Sequence, residues 1–585
     1  MTKDHRRAPS GDLEAAVEAA IADHRAGRLV EAERLYIEIL HAAPQSLKAS
    51  RNLALLLLSR GEIDRALQLL EAAMAAEPGN TRDATTYVQA LALAKRFEDA
   101  ERALVDRMQR TKARDALEVG LRRAWARSLV EQTELESAEA QLVKVAALAP
   151  EDPDSSLDLG VVQLSLERTE KAAASFARVL RLRPDHPVAL TKRAVALQAL
   201  GQYADALACA DQVPAPVLTA ETLNARSDAL RNLGRYAEAR VAVDAALALR
   251  PGDTSTQFRR AILRLLACDF EGGWVDYETR WRETRFIADA AGIVGPEIRA
   301  RLDLNLGPVD IDGRRILLVG EQGVGDQIMF ASMIPDLTAI AAEITCVCDE
   351  RLVGLFSASF EDVRFLSPST RGLRFSDFDK VVSIGSLGHL FRNRIGDFPG
   401  TPYLTTRHDV RQGWAARLGP RAGARRIGLS WRGGTVNTNG SRRSIPLTQL
   451  APVLELENCE LVSLQYGEAG EEVREASAIL GREIRLFPKA DIDQFEALAS
   501  LIENLDLVVS VQTAVVHLAG ALGKPCMTMV PYNAEWRYTA KSPEMPWYRS
   551  VRLFRQSEPD VWAPVIERVA QTLRSGAEPA EGAKS

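Results

Sequence analysis

The stretch Ile316–Ala331 reads ILLVGEQGVGDQIMFA. Four apolar residues form a short run of buried-strand type, glycines at 320, 323 and 325 break it, and QIMFA resumes at helical spacing. A strand passing through a glycine turn into a helix is the opening of a βα unit. The turn has no lysine and holds two acids, Glu321 and Asp326. A glycine turn at this junction looks like a phosphate-binding turn, yet carboxylates stand where a P-loop carries positive charge.

The same texture continues downstream. EITCVCD, VRFLS and KVVSIG are short β-branched runs separated by helical stretches. Tyr403–Pro420 interrupts the series and reads as a crossover helix, after which RRIGLSW, CELVSLQYG, EIRLFP, LDLVVSV and PCMTMV form a second series. Two such series predict two Rossmann-like halves facing each other across a cleft, with ligands beyond the carboxyl ends of the strands.

Upstream the signal is a period. GRLVEA at Gly27, GEIDRA at Gly61 and KRFEDA at Lys95 lie 34 residues apart, and GQYADA at Gly201 and GRYAEA at Gly234 lie 33 apart. Ala32, Ala66, Ala100, Ala138, Ala172, Ala206 and Ala239 recur at one position, and Pro44, Pro78, Pro150, Pro184 and Pro251 close units. Small alanines let paired antiparallel helices approach, glycine turns the chain and proline ends the second helix. Each pair leaves an apolar face that only the next pair covers, so the units stack as a solenoid of tetratricopeptide (TPR) type. The aromatic-rich CDFEGGWVDYETRW, Cys268–Trp281, is expected to cap the array and dock it on the α/β region. Such an array binds protein in its groove or serves as a spacer or dimerisation arm.

Composition narrows the class. The 585 residues suffice for several domains, with 46% hydrophobic and 26% charged residues as in a soluble globular protein. A net charge of −6 gives no support for a nucleic-acid binder. The opening MTKDHRRAPSGD shows no apolar core of a secretory leader, and the run LALLLL at Leu53–Leu58 is too short to cross a bilayer. Six dispersed cysteines fit free thiols, so a cytoplasmic location without a membrane span is expected.

Three strand ends carry candidate chemistry. In DLVVSVQTAVVHLAGALGKP, Asp506–Pro525, a strand ends at Val511, Gln512 and Thr513 turn, and a helix starts at once. Its unpaired N–H groups make an anion site to which Thr513 adds a hydroxyl and His517, one turn in, a donor; alternatively Thr513 is a cap and His517 a packed polar residue. SWRGGTVNTNGSRRSIPL, Ser430–Leu447, puts Arg432, Arg442 and Arg443 on a loop suited to phosphate or simply to solvent. SLQYG, Ser463–Gly467, brings Gln465 and Tyr466 within reach of a base or ribose, or is an ordinary turn. Asp326 by its chemistry alone reads as a helix cap. DID occurs at Asp310 and at Asp491, but neither follows a clear strand, so no metal-binding DxD is read.

Taken together, GEQGVGDQIMFA, SWRGG…RRSIPL, SLQYG, VHLAGALGKP and WYRSVRLFRQ resemble bacterial TPR-linked glycosyltransferases with a heptosyltransferase-like GT-B domain. In architecture the chain is similar to the TPR-linked flagellin glycosyltransferases, which transfer a nonulosonic acid. The resemblance implies an α + α/β chain in which a TPR solenoid precedes two Rossmann-like halves. It implies a metal-independent, inverting transferase that needs no cofactor and takes a nucleotide sugar as substrate, CMP-nonulosonic acid ahead of a UDP-sugar. The partner it implies is a protein acceptor such as flagellin, held by the repeats. Asp326 falls where the family carries its general base, with Glu321 and Gln322 on the acceptor side. Arg432, Arg443, Gln465, Gln512, Thr513 and His517 fall on the donor side. Where relatives usually read DTSVAHLAGA this chain reads QTAVVHLAGA, and a neutral Gln512 suits a donor that is itself an acid, or marks a retired enzyme. The alternatives are thus a TPR scaffold with an inactive transferase domain and a heptosyltransferase-like glycan enzyme. The expected organisation is an unstructured 1–10, a superhelix of seven to eight repeats over 11–282 and a linker over 283–312. The acceptor-side half comes next at 313–405, then a crossover at 406–424, the nucleotide-sugar half at 425–575 and a disordered tail at 576–585.

Overall fold

The computed structural model describes residues 10–78, 80–109, 114–283, 286–287, 290, 292–304, 306–421, 423–434 and 440–576. Apart from Ser10 and Gly576, the expected unstructured N-terminus and tail lie outside the described residues. The chain forms two compact units, Met1–Leu218 and Thr219–Ser585.

The first unit is a stack of antiparallel helix pairs beginning with Ser10–Arg25 and Leu29–Ala42. All six recurrent alanines in this unit, Ala32 to Ala206, are fully buried, which is why no larger residue is used there. The turn within each pair needs a left-handed residue. Gly27, Gly61 and Gly201 supply it, and where glycine is missing Lys95, Thr133 and Glu167 adopt positive φ all the same. The worn repeats therefore keep the turn and carry its strain in the backbone.

The second unit begins with two further helix pairs, Ala220–Asn232 with Tyr236–Leu249 and Thr254–Leu266 with Phe270–Tyr277. Gly234 and Cys268 make their turns at φ +70° and +61°. The expected array over 11–282 is thus divided, because these last helices pack into the α/β core. Trp274 is buried against Phe330 and Trp536, and its indole N–H donates to the Arg392 carbonyl at 2.7 Å. The expected linker is not free either. Ala290 and Val294 pack with Leu317, Val319 and Val381, and Asp303 pairs with the Val381 backbone through its own N–H and its carboxylate.

Elements of the α/β region are numbered from its first strand. The first sheet has four parallel strands in the order β3-β2-β1-β4: β1 (Arg315–Val319), β2 (Glu343–Val347), β3 (Val363–Leu366) and β4 (Lys380–Ser383). Helix α1 (Val324–Ala331) comes after β1, and α2 (His408–Leu418) is the crossover helix, seated by buried Trp414 and Leu418. The second sheet runs β10-β11-β9-β8-β5-β6-β7. Its strands are β5 (Arg425–Ser430), β6 (Cys459–Ser463), β7 (Ile484–Arg485), β8 (Leu507–Val511), β9 (Cys526–Val530), β10 (Glu544–Met545) and β11 (Tyr548–Arg555). Among the described residues only the β10–β11 pair is antiparallel. Helix α3 (Gly470–Leu480) comes after β6 and α4 (Ala514–Ala521) after β8. Strands β8 and β9 are buried along their whole length, as strands covered on both faces must be. Among the described residues no helix is long and apolar enough to cross a membrane.

Candidate functional site

Parallel pairing decides which loops meet. β5 lies between β8 and β6, so the segments leaving the carboxyl ends of these three strands stand side by side. Gly433, on the segment after β5, touches the turn after β8: a Cβ there would lie 2.6 Å from the Gln512 carbonyl and 3.1 Å from Thr513 Cγ2. Thr513 is the N-cap of α4, its hydroxyl accepting from Val515 N–H at 3.2 Å, and it also lies 3.2 Å from Ser510 Oγ. Gln512 is buried, and neither atom of its amide has a partner among the described residues. An orphaned buried amide costs about 1–3 kcal/mol, so this turn is built at the expense of stability. Thr435–Asn439, on the same segment as Gly433, lie outside the described residues.

The two halves meet at their first helical turns. A Cβ on Gly325, in the first turn of α1, would come within 3.2 Å of His517 Cδ2 and 3.4 Å of Ala514 Cα. Glycine at 325 is what allows α1 to rest on the start of α4. Asp326 is the next residue along α1, one position from this contact. Asp326 is not the helix cap read from sequence. Gly323 occupies that position, and Asp326 stands three residues in. From there its carboxylate takes a hydrogen bond from the Gly323 backbone and also pairs with the guanidinium of Arg537, whose Nη2 donates to Gln322 Oε1 at 2.8 Å. Gln322, held at φ +58°, donates in turn to the Tyr277 hydroxyl. Burial pushes the Asp326 carboxyl up while Arg537 pulls it down, and the balance lies above the ordinary carboxylate value. A carboxyl shifted upward is the stronger proton acceptor once its ion pair opens.

Several expected site residues do other work. Glu321 does not face an acceptor: fully buried, it receives Arg280 Nε and Nη2 at 3.1 Å and the Ser383 hydroxyl. Arg280 also holds Glu278 at 2.7 Å, so this network ties the last helical unit to the ends of β1 and β4. Gln465 does not reach for a base. Its Oε1 accepts from the N–H groups of Trp431 and Arg432 at 2.9 and 2.8 Å, and its Nε2 donates to the Arg432 and Tyr466 carbonyls. Arg432 turns away toward α3, its Nη2 donating to the Glu468 carbonyl at 2.7 Å and its charge set 3.1 Å from Glu472. His517 is buried with its two ring nitrogens 3.3 and 3.4 Å from the Tyr548 and Tyr538 hydroxyls. Burial, reinforced by Arg537, brings its pKa down to about 3, so the ring is neutral and held between the two tyrosines. Arg443 stays near the site: its carbonyl lies 3.4 Å from the Gly433 Cβ position and its charge acts on the Tyr538 phenol. Asp310 accepts from Gly307 N–H at 2.8 Å, and Asp491 pairs with Arg417 at 2.6 Å.

Arg537 escapes the motif reading, although the strand-end rule points to it: the segment EWRYT lies beyond the carboxyl end of β9. Asp326, Gln322 and Arg537 form one hydrogen-bonded group, and Gln512, Thr513 and the Arg443 carbonyl meet at Gly433; Glu321, Gln465 and Arg432 are engaged in other contacts.

A model described as glycosyltransferase family 9 (heptosyltransferase) matches residues 448–569. Tetratricopeptide repeat models match 23–82, 57–117, 123–187 and 220–253. Protein FlbA of Caulobacter vibrioides is 28% identical over 486 residues, covering 73% of this chain and 79% of FlbA. Among solved structures, MamA 41-end from Desulfovibrio magneticus RS-1 is 20% identical and covers 28% of this chain and 90% of its own, with a TM-score of 0.25. A tetratricopeptide repeat protein from Parabacteroides merdae is 13% identical and covers 43% of this chain and 99% of its own, with a TM-score of 0.28. The chain joins tetratricopeptide repeats to a region matched by the glycosyltransferase family 9 model, an organisation consistent with a TPR-linked glycosyltransferase.

Proposed function

We propose that this protein is an inverting protein O-glycosyltransferase of GT-B type that moves a nonulosonic acid from a CMP-activated donor to a Ser or Thr hydroxyl of flagellin held by the repeats. The observation that supports the reading is the contact of α1 and α4 at Gly325, which brings the residue before Asp326 against the start of the helix that Thr513 caps. In the proposed single displacement, Asp326 accepts the proton of the attacking hydroxyl. The hydroxyl oxygen bonds to the anomeric carbon, and the bond to the donor phosphate breaks with its electron pair leaving on CMP. The N–H groups at the start of α4, Thr513 and Arg443 stabilise that leaving anion. Because these groups supply positive charge, the reaction needs neither metal nor cofactor. The orphaned amide of Gln512 supports a polar ligand at this turn, and its neutrality favours an acidic sugar over a UDP-hexose.

The test is the intact mass of flagellin from cells with and without this protein, and after incubation with the purified protein and a CMP-nonulosonic acid. One sugar mass per modified site is expected, with Asp326→Ala abolishing transfer while leaving flagellin capture intact. Unchanged flagellin in both experiments refutes the reading, as does transfer by the Asp326→Ala protein. The scaffold alternative is favoured by the missing acid at position 512. It predicts no thermal shift with CMP, UDP, ADP or GDP. A glycan-directed enzyme predicts transfer to a saccharide and none to protein, and gives the long repeat array no task.

A further inference from the structure

Among the described residues Arg537 is the one cation on the Asp326 carboxylate, and it comes from the opposite half. Its loop is held at several points. Tyr532 N–H donates to Gln556 Oε1 at 2.9 Å, and the Tyr532 hydroxyl donates to the Leu233 carbonyl at 3.3 Å. Asn533 Nδ2 donates to Asn232 Oδ1 at 2.7 Å, and Ala540 N–H donates to the Leu266 carbonyl at 2.9 Å. Trp536 is buried between Trp274, Tyr277 and Phe330, and the guanidinium lies 4.9 Å from its ring. Arg537 is thus delivered to a fixed place, yet its side chain keeps 13% of its exposure and that of Asp326 keeps 16%. The pair lies near the start of α4: Gly325, beside Asp326, packs on Ala514, and the Arg537 charge acts on His517.

A carboxylate gripped by a guanidinium is a poor acceptor for a hydroxyl proton, since the bond it would offer is already taken. A phosphate oxygen is the natural competitor for an arginine. We infer that Arg537 is a shared ligand: it holds Asp326 when the crevice is empty and transfers its grip to the donor phosphate, releasing the carboxylate for the acceptor. This rests on the nucleotide-sugar reading given above and adds an order of events to it, with the donor bound before the base is available.

The test is calorimetric titration of the full-length protein with CMP, which needs no turnover. Asp326→Asn should bind CMP about tenfold more tightly, because it frees the guanidinium, and Arg537→Gln about tenfold more weakly. The double variant should bind as Arg537→Gln alone. That last arm separates exchange from simple repulsion between two anions. If the Asp326→Asn gain persists without Arg537, repulsion explains it and the shared-ligand idea falls. It falls equally if Arg537→Gln binds as the parent does. Should Arg537→Gln fail to fold, Arg537→Lys replaces it, since lysine keeps the charge but cannot grip two partners; the gain must then shrink. If CMP, UDP, ADP and GDP bind no form of the protein, the nucleotide-sugar reading itself is wrong, an outcome distinct from CMP binding that ignores both residues.

Discussion

Removing Arg280 should damage the second unit more than any change at the crevice. Arg280 and Glu321 are both fully buried, and the arginine holds two carboxylates, at 2.7 Å for Glu278 and 3.1 Å for Glu321. Replacing it with methionine keeps the volume but strands two buried acids. Breaking a buried pair costs about 3–5 kcal/mol, and two abandoned partners put Arg280→Met at or above the upper figure. Glu321→Gln is milder, at about 3 kcal/mol, because Arg280 retains Glu278 and the amide can still accept from Ser383. The pH dependence carries a sign. Burial already holds the Glu321 carboxyl above its ordinary value while Arg280 opposes this. Without the arginine the folded-state value rises further above the unfolded one. Such a group favours the folded state at low pH and loses that contribution as pH rises through the folded value. The deficit of Arg280→Met should therefore shrink on going from about pH 8 to about pH 5, by up to about 1.4 kcal/mol per unit for each proton taken up. Seven of the eight tryptophans, all but Trp125, lie in the second unit, so urea unfolding monitored by tryptophan fluorescence reads it directly. A loss under about 1 kcal/mol in Arg280→Met, or a deficit that grows toward acid pH, would refute the buried-network account and return Glu321 to the acceptor side.

A chain beginning at Thr219 should fold and melt cooperatively, whereas one beginning at Glu283 should aggregate, because removing Trp274 and Tyr277 exposes Phe330 and Trp536; size-exclusion chromatography and calorimetry of the two decide. Thr133→Gly should stabilise the first unit by about 0.5–1 kcal/mol, since a β-branched residue is held there at φ +62°; calorimetry of the full chain should show only the melting step of that unit move upward. Gln512→Asp should destabilise the second unit by about 1–3 kcal/mol by burying a carboxyl where no partner stands among the described residues, and should weaken CMP-nonulosonic acid more than a UDP-sugar. Equal effects on the two donors, measured by titration, would show that residue 512 does not select the sugar.

The sequence by itself determined what depends on local order. The 34-residue period marked the helix pairs, because small and left-handed positions recur wherever two helices must touch and turn. Alternation of β-branched runs with helical stretches announced two parallel sheets, and the helix beginning at Thr513 was readable because a strand, a polar turn and a small-residue helix succeed one another directly. Position beside a motif did not reveal partners. Glu321 and Asp326 stand five residues apart in one glycine turn, yet one is buried against Arg280 and the other meets Arg537, residues 41 behind it and 211 ahead. Gln465 and His517 lie at the right strand end and helix face but turn inward, since a polar side chain at a crowded junction goes to whichever buried group otherwise lacks a partner. The division at residue 218 was likewise invisible in the period, because the last two helix pairs repeat like the others and differ only in the aromatic core that covers them. Pairing across long stretches of chain is a property of the packed core, and only the tertiary structure decided which acid meets Arg280 and which meets Arg537.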